Sequence, residues 1–343
     1  MSATQGGGRI RAYTEFVFAI VYFLIAKLLA QHWARGFRLD QISPLAEQAI
    51  LALLLLLGYS VMGLVLDRQP APIAAQGWPV RKGWGGEAGM GLAVGWGLAV
   101  ICVLPLTIAG GIAIRLAGGA SAWRWLVGDA AFFALAALAE EIAFRGYGFQ
   151  RLSAALGGMS AALAFAALYA ILQVLQPGAG SASIAVSVVF SLLLSMAYLR
   201  TRALWLSWGI NFAWKASRAL LFGLAVSGDN GHSPVVQGDP MGPFWLTGGG
   251  FGLDGTWLTF LVMLAAIPLL YRLTRDLDFR WNAPVIVAGG IAIDLDAAAR
   301  RQHEAAMGTA EPAPAPLVQI LPVATAAAAN QEDSQQTAGN ESH

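Results

Sequence analysis

Two carboxylates stand side by side in the stretch Ala-Leu-Ala-Glu140-Glu141-Ile-Ala-Phe-Arg145, at the end of a long apolar run. At about 100° per residue, adjacent helical positions point apart. Residues four apart share a face, so Arg145 sits over Glu141. The spacing therefore suits two jobs. Arg145 can hold Glu141 ionised, while Glu140 is free to face a cavity and act as a general base. The plainer reading is an ion pair at a membrane boundary. Metal chemistry has few ligands to draw on. The only cysteine is Cys102, which excludes an internal disulfide, and the four histidines are His32, His232, His303 and His343. None lies between His32 and His232.

The elements that must carry these residues are membrane helices. The 343-residue chain is 57% hydrophobic and only 12% charged, against about 25% charged residues in soluble domains. That scarcity excludes a soluble globular enzyme and a disordered protein. A net charge of +1 excludes the basic excess of a nucleic-acid binder. A bilayer needs about 20 apolar residues per crossing. Eight stretches qualify: Tyr13–Trp33, Pro44–Leu66, Gly89–Leu116, Trp125–Phe144, Ala154–Gln173, Ser183–Leu199, Leu204–Phe222 and Trp257–Leu273. With the N-terminus inside, the inner segments hold twelve Arg or Lys and the outer ones four, namely Arg35, Arg38, Arg115 and Arg124. This bias expects both termini in the cytoplasm. The composition, rich in Ala, Gly and Trp with Arg over Lys, suggests a bacterial inner membrane.

The expected fold is thus an all-α polytopic membrane protein of about eight transmembrane helices with a disordered C-terminal tail. Its parts are an arm (1–12), N-terminal membrane helices (13–120), a core (121–275), a juxtamembrane segment (276–303) and the tail (304–343). Glu15, Lys27, Glu47 and Asp129 also fall in or near spans. Their position near span ends, or a snorkelling side chain for Lys27, explains them structurally. Gly91 and Gly95, with Gly97, mark either close helix packing or ordinary membrane-helix composition. Membrane lipid is the expected partner; nucleic acid is not.

The motif Glu-Glu-x-x-x-Arg at the end of a membrane helix resembles the first motif of the CPBP family, the CAAX-processing and bacteriocin-processing intramembrane proteases. Phe165-Ala-Ala-Leu-Tyr169 stands where that family has F-x-x-x-H. Asn211-Phe-Ala-Trp-Lys215 stands where it has H-x-x-x-N, after a similar lead-in, Leu199–Trp205. The stretches Leu221–Gly228 and Gly242–Gly255 resemble the loop and strand-like segment that follow. The likeness covers roughly residues 125–270. It implies an intramembrane endopeptidase in which a glutamate and two histidines activate a water.

Glu140, Glu141 and Arg145 carry over, but the two histidine positions hold Tyr169 and Asn211, and the third-motif asparagine is Lys215. A zinc site wants three or four His, Cys or carboxylate ligands. Neutral Tyr and Asn are poor ones, so no tightly held zinc and no other cofactor is expected. Lys215 is expected to pair with Glu140 in place of a cation, with Arg218 adding to the pair. The favoured reading is a catalytically degenerate member that binds a membrane-associated peptide or a partner transmembrane helix. The alternatives are an active, divergent glutamate-dependent endopeptidase, with Tyr169 or Asn211 as oxyanion donors, and a small-molecule transporter.

Overall fold

The computed structural model describes residues 3–36, 42–116, 120–232, 236–281 and 303, without the side chains of 3–7, 120–124 and 279. The chain divides into Met1–Ala283 and Pro284–His343. Everything below concerns the first unit; of the second, only His303 is among the described residues, and it is exposed. The expected juxtamembrane segment and tail lie otherwise outside the described residues.

The first unit is built almost wholly from helices: α1 (Ala3–Ala34), α2 (Ser43–Leu66), the single turn α3 (Pro72–Ala75), α4 (Trp84–Ile108), α5 (Ala120–Arg145), α6 (Tyr147–Leu156), α7 (Gly158–Val174), α8 (Ser181–Thr201), α9 (Trp205–Ala216), the single turn α10 (Phe244–Thr247), α11 (Trp257–Leu273) and α12 (Arg275–Trp281). Four of them are long and apolar enough to cross a membrane: α1, α2, α4 and α8. The shorter α7 and α11 are also apolar. Neither α5 nor α9 meets that standard. These are the helices that carry Glu140, Glu141, Arg145, Asn211 and Lys215. In a bilayer their polar faces need partners inside the protein.

Local chemistry explains the boundaries. Pro44 opens α2, where its missing N–H costs nothing. Gly146 ends α5, and Gly157, at φ 89°, turns the short α6 into α7. Helix α6 was not anticipated; the fifth expected span began inside it, at Ala154. The third expected span, Gly89–Leu116, is also shortened. Helix α4 stops at Ile108, and after Gly110 and Gly111 the chain becomes strand β1 (Ile112–Leu116). This strand pairs antiparallel with β2 (Val236–Pro240), Ile112 facing Pro240 and Leu116 facing Val236. A Gly-Gly break followed by β-branched Ile112 and Ile114 favours the extended form. The segment Gly242–Gly255, expected to be strand-like, instead forms α10 and two 3₁₀ turns. Gly248, Gly249 and Gly252 all have positive φ there, which no strand permits.

Helices α4 and α9 approach closely. A Cβ on Gly91 would fall onto the Leu206 carbonyl, and one on Gly95 onto the Ile210 carbonyl, while Gly209 faces back toward Ala88 and Gly91. The Gly91/Gly95 spacing is therefore a packing surface. Gly97 meets nothing within 4 Å and takes no part.

Two apolar cores result. One gathers α4, α8, α9 and α11 around Leu193, Leu194, Ile210 and Trp214. The other gathers α1, α2, α5, α6 and α7 around Leu55, Ile142, Phe149 and Phe165. Glu15 serves structure: it accepts from Arg11 at 2.7 Å and lies 3.4 Å from Arg151, which reaches Asp67 at 2.8 Å. This network ties α1, α2 and α6 together. The functional candidates sit where α5, from the second core, meets α9, from the first.

Candidate active site

Glu140 and Glu141 occupy the last turns of α5, facing α9. Asn211 and Lys215 lie four apart on α9 and so project from one face. The Lys215 ammonium is 2.5 Å from Oε1 of Glu140. The other oxygen, Oε2, accepts from Asn211 Nδ2 at 3.0 Å and from the Tyr169 hydroxyl at 3.4 Å. Tyr169 comes from α7, and the Phe144 ring packs edge-on to it at 4.9 Å. Three helices therefore converge on one carboxylate.

Glu141 lies one step further inside and is fully buried. Its Oε1 accepts from Arg145 Nη1 and from Asn211 Nδ2, at 3.1 and 3.0 Å. The two carboxylates, expected to act separately, are thus bridged by a single amide nitrogen. Arg145 is held on its other side by Ser191, through the carbonyl at 3.2 Å and the hydroxyl at 3.4 Å. Nothing in the sequence marks Ser191, a serine in an apolar helix, as the anchor of this arginine.

All six expected residues, Glu140, Glu141, Arg145, Tyr169, Asn211 and Lys215, are brought together. Arg218 is not. Its guanidinium lies 2.8 Å from Asp254 and stacks over Trp214, with the carbon 4.1 Å from the ring centroid. A π-helical turn, Ser217–Leu221, follows α9. Arg218 lines the same cavity as Lys215, but its charge is paired with Asp254 rather than Glu140. Asp254 also accepts from the Ser227 hydroxyl at 2.9 Å, so the Arg218 pair pins the loop after α9.

A cavity of about 600 Å³ opens in front of Glu140 and Lys215. Its walls include Phe23 of α1, Phe132, Phe133 and Phe144 of α5, and Phe190 of α8, with polar residues Lys27 and Glu47 of the first two helices. Lys27 is exposed and also lines the cavity. His232 was missed. Read as part of a polar outer loop, it folds back over the rings of Phe132 and Phe133, at 5.3 and 4.4 Å. Its nitrogens lie 3.8 Å from Asp129 and 3.5 Å from Asp229. The His232 hydrogen bond holds the Asp229 carboxyl below its ordinary range.

The site's donors suit a lysine better than a metal. An ammonium already stands against Oε1 of Glu140, and an amide N–H and a hydroxyl point at Oε2. Among the described residues, no three His, Cys, Asp or Glu side chains gather as a metal-holding group.

Residues 121–217 match the family model described as "Type II CAAX prenyl endopeptidase Rce1-like". The match supports a CPBP, or CAAX-protease, family assignment. It spans every CPBP motif position, from Glu140 to Lys215, and ends at Ser217, before the loop and turns of 221–255. No curated protein matches the chain, and no solved structure does. The CPBP match and the apolar helices together make this a multi-pass membrane protein.

Proposed function

We propose that the chain is a CPBP-type membrane protein that has lost peptide-bond hydrolysis and keeps its cavity to engage a membrane-associated peptide or a partner's transmembrane helix. The observation that carries this reading is the 2.5 Å contact between Lys215 and Glu140. A general base must be free to take a proton from water. Here one oxygen of Glu140 faces an ammonium and the other faces two donors, Asn211 and Tyr169. A carboxylate that already accepts from three donors is a weaker base than a free one. The test is a census of peptide termini in membranes containing the wild type or the Glu140→Gln variant. The reading expects no termini that depend on Glu140.

The placement of Tyr169 supports a second reading. A hydroxyl and an amide beside Glu140 are the donor types that stabilise an oxyanion. If a substrate displaced Lys215, a divergent endopeptidase would result, and the same census would show Glu140-dependent termini.

The proposal includes the full topology: eight crossings, both termini cytoplasmic, in a bacterial inner membrane. The distribution of Arg and Lys supports it. The short α7 and α11 and the polar α5 and α9 would complete the crossings inside the shelter of the four long apolar helices.

A further inference from the structure

About half of the residues lining the cavity are polar or charged, and most of its charges are answered within the protein. Glu140 stands against Lys215, Arg218 against Asp254 and Asp229 against His232. Two are not. Lys27 of α1 and Glu47 of α2 line the same cavity, and among the described residues neither makes an ion pair, with the other or with any third group. Each stands in a helix long and apolar enough to cross a membrane, where an unanswered charge is costly and marks a functional position. Hydrogen bonds set the level of the two. Tyr22 of α1 donates to the Leu54 carbonyl at 2.5 Å, and Tyr59 of α2 to the Ala19 carbonyl at 3.2 Å. That antiparallel register leaves Glu47 about one helical turn or less from Lys27 along the pair. Gln31, four residues after Lys27, and Gln48, next to Glu47, add amide donors and acceptors to the same cavity.

A cation and an anion held apart in one cavity suit a ligand that carries both charges. A zwitterion answers the two at once and brings no net charge into the membrane. The surroundings select the kind. Lys27 is exposed. A shallower hollow of about 490 Å³ shares Gln31 with the cavity and runs along α1, lined by the exposed Ile25, Leu28 and Leu29 and by His32 and Arg35. Polar cavity and apolar flank therefore adjoin at Gln31, as the two halves of an amphiphile require. We propose that Lys27 and Glu47 bind the headgroup of a zwitterionic phospholipid with a primary amine. The phosphate lies against Lys27 and the ammonium against Glu47, both as charge-assisted hydrogen bonds, with a hydrocarbon chain along the Ile25, Leu28 and Leu29 face of α1. An ethanolamine headgroup separates its phosphate and ammonium by two carbons, a reach that suits charges one helical turn apart. The inference rests on the reading of the cavity as a binding site and makes no use of the Lys215–Glu140 pair.

Purified full-length protein is exchanged into mixed micelles holding equal amounts of phosphatidylethanolamine and phosphatidylglycerol. Lipid that stays bound through gel filtration is then counted by mass spectrometry. The two lipids share phosphate and chains, and only the first carries an ammonium. Exposed arginines elsewhere on the protein favour the anionic lipid, so a preference for the zwitterionic one is not a property of the general surface. The proposal expects the wild type to retain phosphatidylethanolamine over phosphatidylglycerol by about tenfold, the effect of one hydrogen bond to a charged group. Glu47→Gln should bring that ratio down to about one or below, and Lys27→Met should lose the retained phosphatidylethanolamine. Equal retention of the two lipids by the wild type, which needs no variant to fold, overturns the proposal. So does a preference that survives in Glu47→Gln. Displacement of the bound lipid by free phosphoethanolamine at equal concentration would also overturn it, by assigning the site to a soluble zwitterion. Glu140-dependent cleavage of peptides would sink the non-hydrolytic reading separately, whatever lipid is bound.

Discussion

Lys215 and Glu140, 75 positions apart in the chain, meet at 2.5 Å between α9 and α5. The pair joins the two apolar cores and is the contact on which the proposed non-hydrolytic reading rests. Its energetic consequence can be measured. Removing one partner leaves a partly buried charge unpaired, whereas removing both does not. Lys215→Met and Glu140→Gln should each destabilise the protein, and the double variant should recover part of the loss. A double-mutant cycle of unfolding in detergent should give a coupling of about 1–3 kcal/mol. Additive single effects would show that the contact contributes nothing.

Arg145 is buried with Glu141 and tied to Ser191. Truncation there strands a buried carboxylate. Arg145→Ala should cost about 3–5 kcal/mol and sharply lower the yield of folded protein, while Ser191→Ala, which keeps the backbone carbonyl, should cost about 1 kcal/mol or less. Equal losses for the two, read by thermal unfolding, would contradict this assignment.

The α4–α9 contact depends on two missing side chains. Gly95→Leu should prevent the helices from closing and release Asn211 and Lys215 from α5, giving a protein sensitive to proteolysis in detergent. Gly97→Leu, facing open space, should be neutral to within about 0.5 kcal/mol. Equal protease resistance in the two variants would refute the packing role of Gly95.

The topology can be read by thiol labelling, because the single cysteine, Cys102, is fully buried. Val80 and Met241 are 80% and 68% exposed and belong to loops expected on opposite sides. In intact cells, a membrane-impermeant maleimide should label Met241→Cys and spare Val80→Cys until the membrane is opened. The reverse pattern would invert the orientation.

Much of the site was legible because ionisable residues are costly in apolar helices. Glu140, Glu141 and Arg145 stood out from their surroundings, and the four-residue spacing of Asn211 and Lys215 placed both on one face. Three features were hidden for physical reasons. Arg218 is a neighbour of Lys215 along the helix, but its guanidinium is taken by Asp254, from a loop whose path no periodicity shows. His232 reaches the aromatic rings of α5 by a loop path with no periodicity to read. The strand Ile112–Leu116 resembles the apolar end of a span, and its pairing partner lies more than a hundred residues downstream.

The most direct measurement of the central claim is the census of membrane peptide termini, run on wild type, on Glu140→Gln, and on a triple variant restoring the family's motif residues, Tyr169→His, Asn211→His and Lys215→Asn. The account predicts that wild type and Glu140→Gln give the same termini, while the triple variant is the only form able to gain new, Glu140-dependent ones. Termini present in wild type and lost in Glu140→Gln would contradict it, and would show that Lys215 yields Glu140 to a working peptidase.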